Sequence, residues 1–242
     1  MHRSINDLRV EVDPSSRFRA PVSRTLSWVG DRLSDVVVGI RPIRFSARGF
    51  DARKFESGAA LIIANHISLL DTLAIRRALP GSVRARTATV GARDFFVPSA
   101  SDRGVRRALR SLSCFYVTNA YRVCLIGRGD DMGDGIPRIA ALLRSGWHVI
   151  LFPEGTRSRS GQLGRFRRGF AHLAESTGAA VIPVGIRGTD GVMSVGNPMI
   201  RSGRIDVQAG EPCRIARGES GTDFLGRLRA EVQSLADRWP DT

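Results

Sequence analysis

The sequence predicts an α/β fold: a mixed, largely parallel sheet flanked by helices, preceded by an N-terminal amphipathic helix. Three observations predict it. From residue 43 onward, short apolar runs of strand length alternate with longer segments of helical periodicity. The runs "ALII" at 60–63 and "VILF" at 149–152 read as buried strands, the second ended by Pro153. Gly146 and Gly178 stand where two of the periodic segments should stop, as C-terminal glycines do. At 242 residues the chain fits one large domain able to bury a substantial core.

Residues 1–20 are polar and lack periodicity, which predicts a mobile tail. Between Pro21 and Pro42, Val22, Leu26, Val29, Leu33, Val36, Val37 and Ile40 recur at three- and four-residue steps, so 21–42 is expected to be one amphipathic helix. It either packs on the core or, flanked by Arg17, Arg19, Arg24 and Arg32, lies in a membrane surface, and the two readings are compatible. Over 43–242 the expected strands are 43–47, 59–64, 84–90, 122–127, 148–152, 180–187 and 204–209. The expected helices are 69–79, 103–112, 134–145, 166–176 and 222–238.

The net charge is +14, with Lys54 the single lysine among the basic residues. Such a balance attracts polyanions: nucleic acid, an anionic membrane or phosphorylated substrates. Nucleic acid is the poorest of the three fits, because the arginines are dispersed and no RRM, helix-turn-helix or zinc pattern occurs. Cys114, Cys124 and Cys213 lack metal-ligand or C-x-x-C spacing and read as reduced thiols. The first twenty residues contain no signal-peptide core, and no apolar run is long enough to span a bilayer.

Two motifs carry chemistry. In "NHISLLD" (65–71), Ser68-Leu69-Leu70-Asp71 fits a capping box with Ser68 as N-cap and Asp71 at N3, and His66 then merely ends a strand. The same geometry suits catalysis. His66 precedes the helix and Asp71 lies in its first turn, so the loop can fold the imidazole onto the carboxylate. A carboxylate there holds one histidine tautomer and stabilises the imidazolium, while the positive helix end keeps the resting ring neutral. In "FPEGTRS" (152–158), Glu154, Gly155, Thr156 and Arg157 form the loop after a strand. Arg157 can hold phosphate oxygens bidentately, or it is a solvated surface arginine. The loop is not a Walker motif.

Together, N-H-x-S-x-x-D and F-P-E-G-T-R-S resemble the glycerolipid acyltransferases, the family of 1-acylglycerol-3-phosphate acyltransferases, over about residues 43–212. "GQLGRFRRGFAHLA" looks like the family's next segment, where a lysine often stands near Arg168, and "VIPVGIRGT" resembles its fourth motif, centred on Pro183. "IDVQAGEP" is similar to its closing G-E-P segment. For the family's strand-ending arginine, "YRVCLIGRGDD" offers Arg122 and Arg128, of which Arg128 is favoured because it ends the strand and precedes "GDD" and a helix.

The resemblance implies an O-acyltransferase that makes phosphatidic acid in phospholipid biosynthesis. The acyl group comes from acyl-CoA or acyl carrier protein, and no cofactor or metal is needed. His66 would act as base and Asp71 as its partner, while Arg128, Glu154, Gly155, Thr156, Arg157, Arg168 and Pro183 would serve the acceptor. Ser68 lacks a nucleophile elbow, so transfer is expected to be direct. His2, His148 and His172 have no ligand spacing. The alternative is the same chemistry on another acceptor: glycerol-3-phosphate, another lysophospholipid or a lyso-amino-acid lipid. The expected partners are a lysophospholipid, an acyl thioester and an anionic membrane surface, with the protein peripheral or monotopic on the cytoplasmic side.

Overall fold

The computed structural model describes residues 18, 21–40, 43–99, 101–127, 135–158, 162–194, 197 and 199–238. In chain order the elements are α1 (Pro21–Ile40), β1 (Ile43–Arg48), a 3₁₀ turn (Ala52–Phe55), β2 (Ala60–Ala64), α2 (Asp71–Ala78) and α3 (Gly81–Arg84). Then follow β3 (Thr87–Ala92), α4 (Arg93–Phe96), α5 (Gly104–Ala120), β4 (Val123–Ile126), α6 (Gly135–Arg144) and β5 (His148–Leu151). The chain closes with α7 (Gly169–Thr177), β6 (Ala180–Arg187), α8 (Thr189–Val192), β7 (Gly203–Ala209) and α9 (Gly221–Asp237).

The seven strands form one sheet in the order β1-β7-β6-β2-β5-β3-β4. β6, β2, β5, β3 and β4 are mutually parallel, and β7 with its parallel neighbour β1 runs the other way. The sheet is therefore mixed and largely parallel. β2 is central, with Ile62 opposite Ile150 on one side and Ile182 on the other. Its five residues are all buried, which is why it reads as a continuous apolar run.

Two-residue alternation sends each strand's side chains into two separate layers. Leu61, Ile63, Val149 and Leu151 join Ile139 and Leu143 of α6, Phe170 and Leu173 of α7 and Phe224 and Leu228 of α9. Ile62, Ala64, Ile150 and Ile182 face the other way, onto Ala74 and Ile75 of α2. α9 lies close against β6 at Gly185, where a Cβ would stand 2.3 Å from the Ala236 nitrogen. Phe18, within the stretch expected to be a tail, is buried against Trp147 with ring centroids 5.4 Å apart.

The ends of several elements differ from expectation. Helix α5 continues to Ala120 rather than stopping at 112. Its last turns hold Phe115, Tyr116, Val117 and Thr118, weak helix formers, and packing on α1, including the Ser23 hydroxyl on the Asn119 carbonyl, overrides that weakness. β3 starts at Thr87 because 81–84 turn as α3, and β4 starts at Val123 because Arg122 adopts φ +50°, outside the extended region. α2 begins at Asp71 with Leu70 as N-cap, so Ser68 is not the cap. Half of the expected capping box survives: the Ser68 N–H donates to Asp71 Oδ2 at 2.8 Å. The Ser68 hydroxyl is engaged elsewhere, donating to the Met193 carbonyl and accepting from the Leu70 N–H.

Candidate active site

Both motifs emerge at the carboxyl ends of adjacent parallel strands, His66 after β2 and 152–158 after β5. His66 Nδ1 lies 2.8 Å from Asp71 Oδ2. Asp71 is fully buried and its carboxylate takes four donors. Oδ2 accepts from His66 Nδ1 and from the N–H groups of Ile67 and Ser68, and Oδ1 accepts from the Thr189 hydroxyl at 2.5 Å. Because a carboxylate only accepts, Nδ1 must carry the proton, which leaves Nε2 as the basic nitrogen.

The second motif clamps the first. The Phe152 ring stacks on the imidazole at 4.0 Å and 13°. The His66 N–H donates to Glu154 Oε1 at 2.9 Å, and the His66 carbonyl accepts from the Ser158 N–H at 2.7 Å. Glu154 Oε2 accepts from the Gly164 N–H. Both Glu154 oxygens are thus occupied by backbone donors, so its carboxylate ties the two loops together instead of reaching outward. Gly155 has φ +72°, and a Cβ there would stand 2.6 Å from Arg167 Nε. The left-handed φ favours glycine there, and any Cβ would have to displace that guanidinium.

His66, Thr156, Arg157 and Arg167 share one end of a cavity of about 400 Å³. The rest of its wall is mostly apolar, running past Leu73, Val90, Phe96, Val117, Val123 and Ile126 to Tyr121, with Thr72, Thr89 and Ser113 among the lining residues. Arg157 is placed by Phe95, whose ring centroid lies 5.3 Å from its Cζ. A basic polar mouth with a histidine opens into an oily interior.

Two of the residues expected to serve the acceptor, Arg168 and Pro183, lie elsewhere. Arg168 is exposed at the start of α7, and Arg167 points to the cavity in its place, since adjacent residues entering a helix cannot share a direction. Pro183 is buried within β6, paired with Ile63 of β2. Its carbonyl accepts from Gly210 N–H, and its missing N–H falls on that same side, between the Val184–Ala209 pair and the isolated Val181–Cys213 bridge. It is a core residue at an interrupted ladder, where proline is tolerated. Arg122 precedes β4 and so stands at the opposite edge of the sheet from His66. Arg128 lies outside the described residues, and its neighbour Gly127 lines the cavity.

His148, at the start of β5, accepts the Ala60 N–H on Nδ1 and meets the Phe55 ring edge-on. Burial, reinforced by Arg86, lowers its pKa to about 4, so it is a neutral structural residue. His172 is exposed on α7.

Residues 47–187 match the acyltransferase family profile. The chain belongs to the acyltransferase family. A chloroplastic 1-acyl-sn-glycerol-3-phosphate acyltransferase of Arabidopsis thaliana is 39% identical over 105 residues, 43% of this chain and 29% of that protein. The 1-acyl-sn-glycerol-3-phosphate acyltransferase alpha of Ovis aries is 28% identical over 201 residues, 81% of this chain and 60% of the relative. The chain thus spans less than two thirds of the length of these relatives. The crystal structure of the 1-acyl-sn-glycerophosphate acyltransferase of Thermotoga maritima superposes with a TM-score of 0.65, covering 91% of this chain and 81% of that one. At 20% identity, that likeness establishes the fold alone.

Within this member of the acyltransferase family, four side chains at the site carry roles that the motifs did not announce. Thr189 holds Asp71, Phe152 supports the imidazole, Arg167 reaches the cavity, and Asn65 pairs its amide with both the N–H and the carbonyl of Ile186. Phe152 and Asn65 stand inside the quoted motifs, and Thr189 closes "VIPVGIRGT", but contacts between residues so far apart in sequence, 118 positions for Thr189–Asp71 and 121 for Asn65–Ile186, leave no local pattern.

Proposed function

We propose that the protein transfers an acyl group from a thioester, acyl-CoA or acyl carrier protein, to the free hydroxyl of 1-acylglycerol-3-phosphate, forming phosphatidic acid. The observation that carries this reading is the His66–Asp71 pair at the mouth of an apolar cavity beside Arg157 and Arg167. The cavity suits an acyl chain, and the two guanidiniums suit the acceptor's phosphate.

His66 Nε2 takes the hydroxyl proton as the acceptor oxygen attacks the thioester carbonyl carbon. The tetrahedral adduct collapses, the C–S bond breaks, and the imidazolium returns its proton to the leaving thiolate. An ester and a free thiol result. Asp71 faces the imidazolium throughout, and the step uses the two substrates with no further group.

α5 supports a membrane-surface location. Val105, Leu109 and Leu112 share one face and are 61–75% exposed, while Arg103 and Arg107 are exposed on the other side of the helix. The same helix supplies Val117 to the cavity wall, so docking this face on an anionic bilayer brings the site to the lipid. Among the described residues no helix is long and apolar enough to cross a membrane, and the protein is read as peripheral, on the cytoplasmic side.

The test is a panel of lysophospholipid and glycerol phosphate acceptors with one labelled acyl-CoA, products resolved by mass. 1-Acylglycerol-3-phosphate should be the best acceptor, and His66→Ala should abolish transfer while preserving the circular dichroism spectrum. Another preferred acceptor would overturn the substrate, and a His66→Ala rate above about a tenth of wild type would overturn the mechanism.

A further inference from the structure

A second cavity, of about 500 Å³, lies at the foot of the sheet, between α1 and the segments that enter β3, β4 and β5. It sits at the amino ends of those strands, whereas His66 and Arg157 stand at the carboxyl ends. Arg24, Arg32, Arg84, Arg86 and Arg122 line it, and Asp31 is the one carboxylate among its described lining residues. Asp31 is itself engaged, 3.5 Å from the buried Arg76. Arg32 aside, the guanidiniums of Arg24, Arg84, Arg86 and Arg122 outnumber that one occupied acid among the described residues.

The hydrogen bonding shows the same deficit. Arg122 is 6% exposed, and its Nε is buried without an acceptor. Trp147, also in the cavity wall, buries its indole N–H without one, and so does Nε of Arg76. Buried donors left unpaired each cost free energy, and three in one region ask for an acceptor. Arg122 is held there at φ +50°, its Cζ 5.8 Å from the centroid of the Trp147 ring. Strain in a non-glycine residue persists where the surroundings impose it. Burial and the neighbouring Arg76 pull its pKa down to about 10, another sign that a counter-charge is wanting.

We infer that this cavity is a phosphate-binding site separate from the acyl-transfer centre, taking a phosphate monoester anion between Arg122, Arg84 and Arg86. An oxyanion supplies both the charge and the acceptors that the cavity lacks, and arginine is the side chain best suited to hold it. Two sources carry that group: a free phosphate or small phosphomonoester, and the headgroup of phosphatidic acid. Trp28, exposed on α1 between Arg24 and Arg32 at successive four-residue steps, stands at the rim.

The test uses the full chain carrying Arg157→Ala, so that anion binding at the acyl-transfer mouth is suppressed. Inorganic phosphate is titrated calorimetrically at constant ionic strength, and co-sedimentation is measured with phosphatidylcholine vesicles with and without phosphatidic acid. Arg84→Gln and Arg122→Gln are compared with the exposed, charge-matched control Arg217→Gln. The expected result is phosphate binding weakened about tenfold by either cavity substitution and unchanged by the control. If inorganic phosphate does not bind but capture by phosphatidic acid vesicles falls about tenfold in Arg84→Gln, the site stands and its source is the lipid headgroup. If Arg122→Gln fails to fold, Arg84→Gln alone decides. Absence of both kinds of binding, or equal affinities in Arg84→Gln and the control, overturns the site.

Discussion

Replacing Asp71 by asparagine separates charge from structure at the proposed acyl-transfer centre. An asparagine Oδ1 can still accept from His66 Nδ1 and the two N–H groups of Ile67 and Ser68, while its amide NH₂ donates to the Thr189 hydroxyl. The fold is therefore expected to survive, with a melting temperature within about 4 °C of wild type. What disappears is the negative charge facing the imidazolium. With about 4 Å between charge centres and an effective dielectric constant of about 20, that attraction is about 4 kcal/mol. It acts only once His66 has taken the proton, so it lowers the barrier without tightening the ground state. Allowing for partial solvation at the cavity mouth, kcat should fall about 10²- to 10³-fold, with both KM values within about twofold. The assay follows labelled acyl transfer to 1-acylglycerol-3-phosphate, with His66→Ala as the blank. A folded Asp71→Asn enzyme keeping a tenth of wild-type kcat would refute this role. Asp71→Ala would not be diagnostic, because it strands several buried donors at about 1–3 kcal/mol each.

Arg157→Ala should raise the KM for the phosphate-bearing acceptor about tenfold or more and that of the thioester less; equal increases would remove Arg157 from the acceptor site. Glu154→Gln points an NH₂ at either the His66 or the Gly164 N–H, so kcat should drop about tenfold, and an unchanged rate would show that the clamp is dispensable. His148 titrates near 4 in the fold and near its usual 6.5 when unfolded, so between those pH values the unfolded chain binds the extra proton. Its contribution is complete above about pH 6.5 and fades as pH falls toward 4, by up to about 3 kcal/mol. Urea unfolding should show a shallower decline across that window in His148→Gln than in wild type, and parallel declines would contradict the neutral assignment.

β2 and β5 were legible because burial on both faces writes itself as an apolar run, and the expected positions of all seven strands differ from those observed only at the ends. His66 and Asp71 were legible because they stand five positions apart across one short loop, so their proximity is local. Less visible was the cap: Ser68 has the chemistry of one, yet its hydroxyl is taken by the Met193 carbonyl, and Leu70 precedes the helix. The end of α5 was hidden because residues with weak helical preference are held by packing on α1.

Residue types and short spacings determined by themselves the α/β class, the histidine–carboxylate pair, the glycine of the second loop and the resemblance that names the family. The tertiary structure alone decided which charged groups face one another. It put Arg167 and not Arg168 at the cavity, turned Glu154 inward to two N–H groups, buried Pro183 in the sheet and sent Arg122 to the opposite edge. The physical reason is range. Periodicity and loop closure act over a few residues, whereas the direction of a side chain at a strand end depends on neighbours that only the folded sheet brings together, as Thr189 shows by reaching Asp71 across 118 positions.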